Sequence, residues 1–282
     1  PKAPPEVKEQ VREMLGLNDP ILEQYINFVS NAIRGDFGDS YIYKEDVMGL
    51  ILERAPATLE LVFVSVILAL VISIPLGVYA GAFPKRKSSS LIMGGSILGI
   101  SLPTFFIGIM LIFVFSLMLG WLPSSGRGPT ATFLGGKFSL FVAGGLQYII
   151  MPALTLSISN IASLVRLTRA GVMENMRQDY IKFARAKGVS TRRVLFGHAL
   201  KNALIPVVTV FGMEIGSLIA FTTVTETIFS WPGLGKLLID SINSVDRPVI
   251  VAYLCLTTIL FVFINFVVDI LYTIIDPRIK LR

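Results

Sequence analysis

The chain has 282 residues, of which 53% are hydrophobic and only 16% charged, with a mean hydropathy of +0.71. Charged residues average about a quarter of a soluble domain, so this composition excludes an ordinary soluble fold. The formal charge of +6 lies between apolar runs, which excludes a nucleic-acid partner in favour of orientation charge on the cytoplasmic side of a membrane.

In chain order, Pro4 and Pro5 precede a helix from Glu6 to Leu15, and Gly16 ends it. Asn18, Asp19 and Pro20 form a turn, a second helix covers Ile21 to Ile33, and Arg34 to Ser40 is a turn-rich loop. Acids exceed bases in residues 1–57, which read as an extracytoplasmic segment. Residues 58–282 then form a transmembrane domain.

Its first span is Leu61 to Phe83, and the basic residues Lys85, Arg86 and Lys87 hold that end in the cytoplasm. The second span, Leu91 to Leu119, returns outward; Pro103 kinks it, and Gly95 and Gly99 permit close helix approach. Residues 120–143 are an external loop whose only charges are Arg127 and Lys137, with Trp121 at the membrane interface. The third span runs from Gln147 to Val165, and Arg166 and Arg169 mark its cytoplasmic exit. A basic cytoplasmic loop, 166–203, leads to the fourth span, Leu204 to Val224. Glu226, Trp231, Asp240 and Asp246 are placed in the external loop that follows, with Trp231 as an interface anchor. The fifth span is Val249 to Val268, and Arg278, Lys280 and Arg282 put the C-terminus in the cytoplasm. Five visible spans with an outside start leave either an external N-terminus or a further span upstream, and a first residue other than Met agrees with the second.

Within the basic loop, Asp179 to Gly188 reads as a short helix. Asp179 is the expected N-cap, Lys182, Arg185 and Lys187 suit the negative end of the helix dipole, and Gly188 suits a left-handed stop. Ser190 is the cap of the next helix. Tyr180, Phe183, Ala184 and Gly188 stand three or four residues apart and are expected on one face, two rings beside two small residues, able to enter a groove in another protein.

This stretch resembles the cytoplasmic coupling loop, the EAA loop, of ABC importer permeases. The Glu and first Ala of that pattern are Lys182 and Phe183 here, while Ala184, Gly188 and the later Pro206 match. Asp179 to Gly188 and His198 to Pro206 resemble the dipeptide, oligopeptide and nickel branch, as do Thr225 to Gly235, Asp276 to Ile279 and the segment Gly35 to Gly38. The resemblance implies an all-α polytopic membrane protein with the type I ABC importer permease fold, in the bacterial inner membrane. It implies a permease subunit translocating di- or oligopeptides, with nickel or another small solute as the alternative. It assigns Asp179, Tyr180, Phe183, Ala184, Arg185, Ala186 and Gly188 to coupling with an ATPase subunit, and it makes Ala184→Trp an uncoupling change. The implied partners are a homologous second permease, two ATP-binding subunits that carry ATP and Mg, an extracytoplasmic solute-binding protein and the lipid bilayer.

The residues themselves agree with a subunit that is not an enzyme. Gly233 to Lys236 is followed by Leu237, where a phosphate-binding loop needs Ser or Thr, so ATP hydrolysis is expected elsewhere and no cofactor in this chain. His198 is the only histidine and Cys255 the only cysteine, so neither a metal site nor a catalytic triad can be assembled, and no disulfide forms within the chain. An ion-coupled secondary transporter is the rival class, but it calls for inverted repeats that are not evident. Glu214 is the sharpest residue within a span, since a carboxylate facing lipid costs about 3 kcal/mol. Two readings stand open: Glu214 lines the solute path with Ser217 and faces a cationic group, or it makes a structural hydrogen bond to a neighbouring helix. Gly212, Gly216 and Ala220 offer a close approach beside it.

Overall fold

The computed structural model describes residues 18–133 and 135–275. The helix expected from Glu6 to Leu15 and the basic residues from Arg278 onward lie outside them. The elements are α1 (Ile21–Ile33), α2 (Val47–Ala82), α3 (Lys87–Ser101), α4 (Thr104–Leu111, continued by a π turn, Ile112–Met118), a hairpin of β1 (Ala131–Phe133) and β2 (Gly136–Phe138), and α5 (Gly145–Asn175). There follow α6 (Asp179–Ala186), α7 (Thr191–Arg193) with a π turn (Val194–Ala199), α8 (Leu200–Ile228), α9 (Leu234–Ser244) and α10 (Arg247–Ile275).

Among the described residues, four helical segments are long and apolar enough to cross a membrane: Val47–Ala82, Gly145–Asn175, Thr191–Ile228 and Arg247–Val268. The fifth qualifies only as the pair α3 and α4, bent by 109°. Pro103 causes the break. It holds Leu102 extended (φ −87°, ψ 133°) and itself becomes the N-cap of α4. The expected kink is therefore a sharp corner. The other spans are longer than their hydropathy alone indicates. α2 begins at Asp46, whose carboxylate accepts from the Gly49 N–H at 2.7 Å, and it runs unbroken past residues 57 and 58. α5 carries Arg166 and Arg169 as helical residues and ends only at Asn175.

Helices α2, α5 and α8 form a spine. One cluster joins Leu61, Ile149, Leu156 and Leu218, a second joins Ala69, Leu164 and Phe211, and a third joins Val78, Val172 and Ala203. Lipid tails are as apolar as these side chains, so close backbone packing rather than the hydrophobic effect holds such helices together. Gly77 and Gly81 supply that closeness. A Cβ at Gly77 would lie 2.9 Å from the Val165 carbonyl, and one at Gly81 2.9 Å from the Arg169 carbonyl. The pair expected to do this, Gly95 and Gly99, does so only at Gly99, 3.3 Å from the Ala162 Cβ; Gly95 faces open space. Of the small residues on α8, Gly216 receives the Phe261 ring of α10, while Ala220 is exposed.

The end of the spine near the hairpin is built on buried carboxylates. Glu60 of α2 accepts from Arg127 Nε (3.0 Å) and Nη2 (2.6 Å), from the Ser139 N–H and hydroxyl (2.7 and 3.0 Å) and from the Leu140 N–H (2.6 Å). The segment from Glu226 to Asp246 is mostly helical and packed into the bundle rather than a loop with an interface anchor, which corrects that part of the expectation: Glu226 lies in the last turn of α8, and α9 follows. Glu226, Trp231 and Asp246 are fully buried. Trp231 donates from Nε1 to the Ala57 carbonyl at 2.9 Å, so its ring fills the core between α2, α5 and α8. Glu226 accepts from the Thr58 hydroxyl (2.6 Å) and the Lys236 N–H (3.0 Å), capping α9 from a distance, and Thr58 accepts from the Leu234 N–H (2.8 Å). Asp246 binds the Ser40 hydroxyl and the Tyr41 and Ile42 N–H groups, tying the N-terminal loop to α10. Thr58→Val keeps the shape but strands both partners of that hydroxyl. It is expected to lower stability by about 2 kcal/mol, read as a lower melting temperature of the detergent-solubilised protein.

Candidate functional site

Two places carry functional character: the helix α6 at the basic end of the spine and a polar cavity midway along it. α6 starts at Asp179 after an extended Gln178 (φ −68°, ψ 152°), and no side chain caps it. Asp179 is therefore the first helical residue rather than the cap. Its carboxylate instead meets Lys182 Nζ at 2.8 Å, and that hydrogen bond holds the carboxyl below its ordinary range. Asp179 still sits favourably at the positive end of the dipole. The end of α6 follows the expectation. Gly188 is left-handed (φ +77°), its N–H donates to Arg185 O (2.9 Å), and the Val189 N–H donates to Ala184 O (3.2 Å). Nothing lies within 4 Å of a Cβ at Gly188, so backbone conformation alone demands glycine there. Gly188→Ala is expected to cost about 1 kcal/mol, visible as a lower melting temperature. Ser190 stands at the N-cap of α7 as anticipated, with no side-chain hydrogen bond.

Ile181, absent from the expected set, is the residue that seats α6. It is fully buried against Val194 and Ala199, with Met176, Ala184 and Val189 around it. Tyr180 is drawn aside into a bracket, donating to Asn175 Oδ1 (2.8 Å) and accepting from Asn202 Nδ2 (3.1 Å). The single face expected for Tyr180, Phe183, Ala184 and Gly188 is thus divided. Tyr180 joins α5 to α8, and Ala184 leans on the chain's own cluster. Asp179, Phe183, Arg185 and Ala186 are exposed. Phe183 is 62% exposed, with Lys187 Nζ 4.5 Å from its ring centre. Because Ala184 is partly buried, Ala184→Trp would disturb the seat of α6 itself, and Phe183 is the cleaner position to change.

The cavity, about 320 Å³, lies where α5, α8 and the start of α4 meet. Its lining includes Ser159 and Asn160 from α5, Glu214, Ser217 and Phe221 from α8, and Thr104 at the corner after Pro103. Glu214 stands at the midpoint of Leu200–Ile228. Its Oε2 is buried without a hydrogen-bond partner among the described residues, so the structural hydrogen bond to a neighbouring helix is not made. Ser217 was expected beside it, whereas Ser159 and Asn160 lay within the third span as two polar residues that hydropathy averages away.

A polytopic bundle with one corner-broken span, a short helix seated on two spans and a polar cavity at mid-depth defines a membrane permease. The comparisons agree. Residues 73–281 match the family described as binding-protein-dependent transport system inner membrane component. The chain is 44% identical over 281 residues to the oligopeptide transport system permease protein AppB of Bacillus subtilis, covering 99% of this chain and 87% of the relative. It is 40% identical over 293 residues to the di/tripeptide transport system permease protein DppB of Pseudomonas aeruginosa, covering 98% of this chain and 86% of the relative. It is also 40% identical over 282 residues to the glutathione transport system permease protein GsiC of Escherichia coli, covering 100% of this chain and 87% of the relative. Among solved structures, the inward-facing MetNI methionine ABC transporter superposes with a TM-score of 0.62 at 18% identity, covering 81% of this chain and 97% of that one. An amino acid ABC transporter gives a TM-score of 0.58 at 12% identity, covering 79% of this chain and 93% of that one. The chain belongs to the family of binding-protein-dependent transport system inner membrane components, and its fold is that of the type I ABC importer permeases.

Proposed function

We propose that this chain is the permease subunit that carries short peptides inward in an ATP-driven importer. The full-length likeness to permeases named for oligopeptides, di/tripeptides and glutathione supports the substrate class. The observation that carries the mechanism is a connection. α6 is seated by Ile181 and Tyr180 on the ends of α5 and α8, the two helices that supply Ser159, Asn160, Glu214 and Ser217 to the cavity.

On this reading, the exposed residues Asp179, Phe183, Arg185 and Ala186 dock into an ATP-binding subunit, with Tyr180, Ala184 and Gly188 shaping the helix behind them. ATP and Mg are held and hydrolysed by that partner. When the ATPases close, α6 moves as a rigid knob and carries α5 and α8 with it, so the cavity opens alternately to either side. Glu214 and Ser217 line the translocation path. The basic end faces the cytoplasm together with the C-terminus, which follows from Lys85, Arg86, Lys87 and the bases of residues 166–203. Residues 1–57 face outward, ahead of the permease domain 58–282, toward an extracytoplasmic solute-binding protein. A homologous second permease completes the path.

Mass spectrometry of the complex recovered from gently solubilised membranes tests this. A second permease and ATP-binding chains are expected alongside the protein. Recovery of the chain alone, folded and moving solute down an ion gradient, would instead identify a secondary transporter.

A further inference from the structure

The buried carboxylates outside the cavity are each fully engaged. Glu60 takes a guanidinium and three groups of Ser139 and Leu140, Glu226 takes a hydroxyl and a helix-starting N–H, and Asp246 takes one hydroxyl and two N–H groups. Those residues are structural: each closes a junction between elements and leaves nothing over for a ligand. Glu214 differs in kind. No residue of the described chain bonds its carboxylate, and the partly buried side chain lines the cavity.

The groups beside it are also uncommitted. Many hydroxyls in these spans bend back to a carbonyl of their own helix, as Ser65, Ser96, Thr155, Thr209 and Thr222 do. Ser159, Asn160 and Ser217 line the cavity and make no such bond among the described residues. Glu214 is the one ionisable residue among those lining the cavity, and no Lys or Arg faces it from α4, α5 or α8 there. A lone carboxylate at mid-membrane depth carries a cost of about 3 kcal/mol, which a cation with several N–H donors would offset.

Resting on the permease reading above, we infer that Glu214 is the specificity-determining residue of the path and binds the ammonium group of a passing peptide, with Asn160, Ser159 and Ser217 as hydrogen-bond partners. The carboxylate supplies the charge, and the amide and hydroxyls, which both donate and accept, suit either side of a zwitterion. The cavity, about 320 Å³, lies at the small end of the range of ligand pockets, which suits the amino-terminal part of a short peptide.

Two measurements on the assembled importer test this. In a Cys255→Ser background, Ser217→Cys is reacted with a cationic (trimethylammonium) and an anionic (sulfonate) methanethiosulfonate, each rate normalised to that reagent's rate with a free thiol. The cation is expected to react about tenfold faster, and the preference is expected to vanish when Glu214→Gln is added. Asn160→Cys serves as the second thiol position if the first variant fails to assemble. In proteoliposomes supplied with saturating loaded binding protein, Glu214→Gln is expected to lower maximal uptake of a free-amine peptide about tenfold, and Glu214→Asp to restore most of it. The half-saturating concentration of binding protein is expected to stay the same, because that protein docks outside the membrane. Equal normalised rates with Glu214 present, or wild-type uptake by Glu214→Gln, would overturn the inference. A wild-type importer that moves no peptide while the cation preference persists would reject the peptide reading and leave the cation site standing.

Discussion

Arg127→Met is expected to destabilise the protein by about 3–5 kcal/mol, the cost of breaking a buried ion pair by removing one partner. Glu60 has no exposed side-chain surface, and Arg127 supplies two of its five hydrogen bonds. Without the guanidinium, an anion stays in a dry site with only Ser139 and Leu140 to hold it. The Arg127 Nη2 also donates to the Lys137 carbonyl, and its guanidinium carbon lies 5.6 Å from the centre of the buried Trp231 ring. The loss therefore reaches both the hairpin and the core beneath it. The effect is to be read as a lower melting temperature in detergent and as faster hydrogen exchange at β1 and β2. The double variant Glu60→Gln with Arg127→Met is expected to recover part of the loss, because the buried charge is gone. Equal melting temperatures of wild type and Arg127→Met would show that the pair contributes nothing net.

Phe183→Asp is expected to abolish ATP-driven uptake while leaving the fold intact. The ring is 62% exposed, so its removal breaks no internal packing, and surface changes of this kind shift stability by about 0.5 kcal/mol or less. On the proposed reading the ring is an aromatic anchor in a partner's groove, and losing such an anchor costs about 2 kcal/mol or more of binding, roughly thirtyfold in affinity. Coupled ATP hydrolysis and copurification of the ATP-binding chains should both fall, at an unchanged melting temperature. Ile181→Asp provides the contrast. It puts a charge into the fully buried seat of α6 and is expected to lower stability as well as activity. If Phe183→Asp couples normally, α6 does not dock through this face.

Much of the architecture was legible before the structure. α1 occupies the predicted Ile21 to Ile33, the second span breaks where Pro103 stands, and α6 ends at Gly188. Each of these is dictated by a local rule: apolar periodicity, the missing N–H and fixed φ of proline, and the left-handed freedom of glycine. The errors share a cause. Trp231 was expected at the membrane interface because Trp favours that depth, yet its indole N–H finds the Ala57 carbonyl across the bundle. Ile181 shares the short helix with Tyr180, Phe183 and Ala184, and spacing alone does not say which of these apolar residues turns inward; Val194 and Ala199 decide it. Asp179 was expected to cap α6, but Gln178 already occupies that place in the chain.

What the sequence alone determined is whatever depends on neighbours along the chain. It placed the apolar spans, the alternation of basic connections between them, the corner at Pro103 and the bounds of α6. What the tertiary structure decided is which polar groups are satisfied. Glu60 meets Arg127 67 positions away, Glu226 meets Thr58 168 away, and Asp246 meets Ser40 206 away. Hydropathy sums along a segment and cannot see such partners. Whether a buried carboxylate is a strut or a binding group depends on the donors that distant segments bring to it. By that measure Glu60, Glu226 and Asp246 are struts, and Glu214 alone among these four has no hydrogen-bond partner among the described residues.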